Sequence, residues 1–178
     1  MPTPAADFDL VLAYPQWQGS GRARRLPRGA AAAARVCARY GPTAAVPLSG
    51  EGAPHGGVNR WTAILDQFRA AQAILSAHDP RRVLAAGGDC ACDVAVIDHL
   101  RRRHPDLTVV WIDAHLDANT PQTSPSGNFH GMPVATLMGQ APPDLVGLTL
   151  TEFAPADEAA ARDGAAVLAR ICDAALGR

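Results

Sequence analysis

Asp113, His115 and Asp117 occupy alternate positions of "WIDAHLD", and a second imidazole, His130, follows in "SGNFHGMP". Carboxylates and imidazole together suit a divalent Mn, Zn or Fe ion, the carboxylates supplying charge and the His a borderline nitrogen donor. Alternate side chains of an extended segment point the same way, so the three residues converge if the chain stays extended past Asp113. The plain alternative is that Asp113 caps a turn while His115 and Asp117 are solvated loop residues. An imidazole with an ordinary pKa of roughly 6.5 suits proton transfer near neutral pH. Gly127 and Gly131 flank His130 and permit close approach of a ligand. Taken alone, His130 reads first as a surface-loop residue.

Such residues need strands to carry them. Short apolar runs at 8–14, 83–86, 107–113 and 145–153 read as strands, with a weaker one at 43–48. Between them, residues 31–40, 59–78 and 92–104 have helical composition or spacing, with Asn59 placed as an N-cap. A short helix is expected from "VATLMG" and an amphipathic one from Asp157 onward. Strands alternating with helices predict an α/β fold with a mainly parallel sheet, in one domain spanning 1–178. Ligand sites in such sheets gather beyond the carboxyl ends of the strands. "GGDC", "DAH" and Glu152 would all lie along that edge.

The 178 residues carry 48% hydrophobic side chains and a net charge of -1, an ordinary soluble composition. This balance gives no electrostatic case for nucleic acid or an anionic membrane as partner. All sixteen basic residues are Arg, a composition bias rather than a functional signal. No apolar run reaches the length of a membrane span, and the N-terminus lacks the basic and apolar regions of a signal peptide. The expected compartment is the cytoplasm. The spacing of the four Cys is not that of a zinc or redox CxxC motif, and Cys37 and Cys172 read as buried free thiols.

Taken in order, "GGDC", "DAHLD", "SGNFHG" and "GLTLTEFAP" resemble the blocks of the ureohydrolase family, the arginases and agmatinases. The resemblance implies a three-layer α/β/α fold and hydrolysis of a guanidino or amidino C–N bond. A pair of Mn ions would activate the attacking water, because a bound metal lowers the pKa of water. Carried over by resemblance, Asp113 would bridge two metals, and His115 and Asp117 would each bind one. His130 would be the acid/base or substrate-side residue. Asn119, Ser126 and Asn128 match positions that contact the amino-acid end of the substrate in arginases. Glu152 matches the carboxylate that receives the guanidinium, a charge-assisted bidentate pairing. The implied partner is a small guanidino compound or amino acid. Family members often assemble, so a homo-oligomer is one expectation.

Two departures qualify that picture. Cys90 stands where most members carry a metal-binding His, and a thiolate suits Zn or Fe better than Mn. Either the metal differs or the position no longer ligates. The small residues of "GDCAC", packing at a turn, favour the second, with Asp89 a turn or supporting residue. The family's "S-x-D-x-D-x-x-D-P" block, which supplies two further Asp ligands, has no counterpart, and only "QAPPD" separates "VATLMG" from the last strand. The sheet is therefore expected to shorten to about five strands, the last pairing directly with 107–113. One metal is conceivable with the remaining carboxylates, whereas two close ions need more anionic bridging. Three functions follow: an arginase-like hydrolase, an inactive relative that binds a small molecule or partner, or a site completed by another subunit.

Overall fold

A computed structural model describes residues 7–22 and 25–138, together with the backbone of 147–150. Its elements run β1 (Leu10–Tyr14), α1 (Leu26–Cys37), β2 (Thr43–Ala45), α2 (Trp61–His78), β3 (Val83–Gly87), α3 (Cys92–Arg103), α4 (Pro133–Leu137) and β4 (Gly147–Leu150). One-turn 3-10 helices follow α1 and precede α4. The four strands form one sheet in the order β2-β1-β3-β4. Every pairing is parallel.

The layers follow from strand periodicity. Leu10, Leu12 and Tyr14 on β1 and Val83 and Ala85 on β3 face one way. There they pack against Ala71 and Leu75 of α2 and Cys92, Ala95, Val96 and Leu100 of α3. Val11, Leu84 and Ala86 face the other way, against Ala33 and Cys37 of α1 and Tyr40. Both faces are dry, so β1 and β3 read as apolar runs rather than as an apolar/polar alternation. Burying each large side chain contributes about 1.5–3 kcal/mol. Cys37 is a buried free thiol, as expected.

Element ends differ from the sequence reading in ways the backbone explains. Helix α1 begins at Leu26 rather than residue 31, because Pro27 in its first turn sacrifices an N–H that has no helical partner anyway. Strand β2 stops short of residue 48, since Pro47 has no N–H to continue the ladder. Asn59 does not cap α2. The N-cap is Arg60, in a left-handed conformation with φ 55°, and no side chain caps this end.

The largest correction concerns residues 107–113, which form no strand. Strand β3 has two edges: β1 occupies one and β4 the other, in register from Val83↔Gly147 to Ala86↔Leu150. The last strand thus lies beside β3, not beside 107–113 as expected, and the described sheet has four strands rather than five. Only Leu107 of this segment joins the core, and Ile112 is 92% exposed. Glu152, Cys172 and the helix expected from Asp157 lie outside the described residues.

Candidate metal site

The site is built where β3 ends. Gly87 closes the strand and Gly88-Asp89 turns the chain into α3. A Cβ at Gly88 would lie 1.8 Å from the Gln16 carbonyl oxygen, so only glycine lets the segment after β1 pass this close. Asp89 is fully buried. Its Oδ1 accepts from Gln16 Nε2 at 3.1 Å and from the Ala91 amide at 3.0 Å. Its Oδ2 accepts from the amides of Gly19 and Ser20 at 2.8 and 3.3 Å. With both oxygens engaged, Asp89 ties two loops together at the sheet edge, the supporting part read for it from the sequence.

The turn places Cys90 at 2% exposure, facing Asp113 at the end of segment 107–113. The Cys90 thiol donates to Asp113 Oδ2 at 3.5 Å. Ligand atoms of Cys90, Asp113 and Asp117 all lie within 4.8 Å of one another. Asp113 Oδ1 accepts from the His115 amide at 2.8 Å, an Asx-type turn that bends the chain at once. Asp117 is left-handed, with φ 51°, a region that Asp tolerates better than most residues. The route to convergence is therefore a turn, not the extended segment that the alternate spacing suggested. The turn also directs His115 outward. Its side chain is 81% exposed, with Nδ1 3.3 Å from Asp113 Oδ1.

Electrostatics mark Asp117. It is 6% exposed, and its Oδ2 is buried without a hydrogen-bond partner. Burial pushes its carboxyl pKa up; the Cys90 thiol lowers it, the Asp113 charge adds to the rise, and His130 and His115 act against it. A buried acceptor with no donor is costly. A cation would remove that cost, so two carboxylates and a thiol fit a single divalent ion.

His130 is half-buried and reaches the same place from another direction. Its amide donates to Gly19 O at 3.1 Å, which fixes "SGNFHG" to the loop that Asp89 holds. Phe129 anchors the segment in an apolar cluster with Val58, Ile64 and Met132 and meets the Trp61 ring edge-on at 5.5 Å. Asn59, freed from capping, donates from Nδ2 to Ser126 O at 2.8 Å and to Asn128 Oδ1 at 3.1 Å. Asn128 Nδ2 in turn donates to Ser20 O at 3.4 Å. Ser126 Oγ accepts from the Asn128 amide at 3.2 Å. The Asn119 amide donates to Gly131 O, and its Oδ1 accepts from Thr123 Oγ1 at 3.4 Å. Asn119, Ser126, Asn128 and His130 are therefore carried by one loop. Gln16 and Asn59 were not singled out from the sequence. Gln16 lies two residues past an apolar strand, where a polar residue at a sheet's carboxyl edge is a usable signal.

Comparison with known proteins bears on the family and the fold. The hepatic arginase of Aquarana catesbeiana is 55% identical over 58 residues, 33% of this chain and 18% of that protein. An arginase of Staphylococcus aureus is 39% identical over 80 residues, 45% of this chain and 26% of that protein. Among solved structures, Entamoeba histolytica arginase in complex with L-ornithine superposes with a TM-score of 0.62 at 23% identity, over 80% of this chain and 51% of that one. Bacillus subtilis arginase gives 0.58 at 23% identity, over 79% and 47%. These two neighbours share the three-layer α/β/α fold, and the chain spans about half their length. The Arginase family profile matches residues 40–174, a span that includes all four motif blocks, and this chain belongs to that family.

Proposed function

We propose that this chain carries the cation site of a ureohydrolase-type hydrolase, acting on a C–N bond of a guanidino or amidino compound. The observation that carries the reading is the meeting of Cys90, Asp113 and Asp117 beside a loop that bears His130. Asp113, Asp117 and Cys90 would hold the ion, with His115 beside Asp113 able to join after a side-chain rotation. When bound, a divalent ion supplies the positive charge that makes water reactive at neutral pH. In the overall reaction the water oxygen bonds to the guanidinium carbon, the C–N bond breaks, and the departing amine takes a proton. His130 is suited to move that proton. Asn119, Ser126 and Asn128 would bind the polar end of the substrate, and Glu152 would pair with the guanidinium. Names of the relatives support an amino-acid substrate, and the Entamoeba neighbour was solved with L-ornithine.

A second reading has its own support. Among the described residues, two carboxylates gather at the site, and no "S-x-D-x-D-x-x-D-P" block follows. Two like-charged ions need more negative charge than that to sit side by side. The chain would then hold one ion, bind a small molecule without turnover, or depend on ligands from another subunit. Urea release from arginine and agmatine, assayed with Mn, Zn and Co, separates the readings. Activity abolished by Asp113→Asn supports the hydrolase. Substrate-raised melting temperature with no product favours the binding protein.

A further inference from the structure

Cys90 stands where the sequence pattern of the family places an imidazole, and its surroundings are not those of an inert core thiol. Cys37 lies in an apolar cluster, and the Cys92 thiol donates to the Tyr14 carbonyl. The Cys90 thiol instead faces two carboxylates: it donates to Asp113 Oδ2 at 3.5 Å, and its sulfur lies within 4.8 Å of an Asp117 carboxylate oxygen. One thiol sulfur and two acidic groups thus share the space where a cation would be held. Asp117, of the same cluster, provides an independent sign: its Oδ2 is buried and lacks any donor.

Building on the proposed cation site, we propose that Cys90 is a thiolate ligand and that this chain takes a single Zn- or Fe-class ion rather than Mn. As the ion binds, the thiol proton leaves to solvent and a metal–sulfur bond replaces the thiol–carboxylate hydrogen bond. Two carboxylates and one thiolate carry three negative charges, enough to neutralise one divalent ion without a second. Sulfur discriminates between ions: soft thiolates select Zn and Fe, whereas Mn prefers oxygen and stands lowest in the general affinity order. Three protein ligands also leave a position open, as in catalytic rather than structural zinc sites.

Cobalt is the probe, because a thiolate bonded to Co(II) produces a charge-transfer band in the near ultraviolet that carboxylates and imidazoles do not. Titration of the metal-free chain with Co(II) is expected to raise that band to saturation at one ion per chain, with Zn displacing it and Mn failing to. Cys90→Ser should abolish the band and weaken Zn binding by at least about a hundredfold, more than losses at residues that merely support a ligand. Cys90→His should restore binding without the band and shift preference toward Mn. X-ray absorption of the Zn-loaded wild type needs no variant and should show one sulfur at about 2.3 Å. Saturable Co binding without the band and without sulfur scattering overturns the role of Cys90 while leaving the site intact. No saturable binding of Co, Zn or Mn overturns the cation site itself.

Discussion

Asp89 Oδ2 accepts a 2.8 Å hydrogen bond from the Gly19 amide, which makes the turn after β3 and the loop after β1 one body. Four donors depend on this buried carboxylate: Gln16 Nε2 and the amides of Gly19, Ser20 and Ala91. Asp89→Ala leaves all four without that acceptor. A loss of about 3 kcal/mol is expected, read as a lower urea midpoint at unchanged slope. Asp89→Asn keeps a carbonyl oxygen and should lose less. An unchanged midpoint in Asp89→Ala would show that water replaces the carboxylate.

Gly88→Ala drives a methyl to within 1.8 Å of the Gln16 carbonyl oxygen, which is backbone and has nowhere to retreat. The expected cost is about 3 kcal/mol or more, with insoluble expression as the extreme outcome. Gly50→Ala is the control, since a Cβ there meets nothing within 4 Å. Equal melting temperatures for the two variants would contradict the close approach.

Asp117→Asn should separate stability from binding. Burial, with the Asp113 charge adding to it, holds the Asp117 pKa above its ordinary value, while the Cys90 thiol and the two imidazoles only partly compensate. The charged form is thus a net cost to the metal-free fold. Removing the charge should leave the metal-free melting temperature equal or higher and erase the rise that added Zn produces. For the wild type that rise corresponds to about 2.7 kcal/mol at a hundredfold excess over Kd. A variant that still gains stability from Zn would exclude Asp117 as a ligand.

Asp9 provides a pH signature away from the site. Burial works to raise its pKa, but the amides of Arg82 and Arg81 and the Arg82 guanidinium outweigh this and hold it below 3.8. A depressed carboxylate stabilises the fold above its unfolded pKa, and that contribution is lost as pH falls through the folded value. Asp9→Asn should therefore be less stable than wild type at pH 7, by no more than about 1 kcal/mol given the partial exposure. The two curves should merge in strong acid. A difference that persists there would assign the effect to packing instead.

The strands β1 and β3 and the helices α2 and α3 were legible because their apolar residues recur with the right period or run unbroken between Gly and Pro signals. The motif segment was legible as chemistry but not as geometry. Its alternate spacing suggested an extended arm, whereas the Asp113 carboxylate captures the His115 amide and turns the chain. Residues 107–113 have the composition of a buried strand, but pairing is a contest for edges, and β4 holds the free edge of β3. Asn59 shows the same limit: its local preference for a cap yields to a partner in "SGNFHG" distant in sequence.

The register that sets Leu10 beside Val83 has a kinetic consequence. A parallel pairing between residues so far apart in sequence must close a long loop before any contact rewards it, which makes it a slow event. The close approach at Gly88 and the placement of Cys90 both depend on that event. Cation capture is thus expected to follow the rate-limiting step rather than nucleate it. Added Zn should leave the refolding rate unchanged and slow unfolding, so the ion acts as a latch on a finished topology.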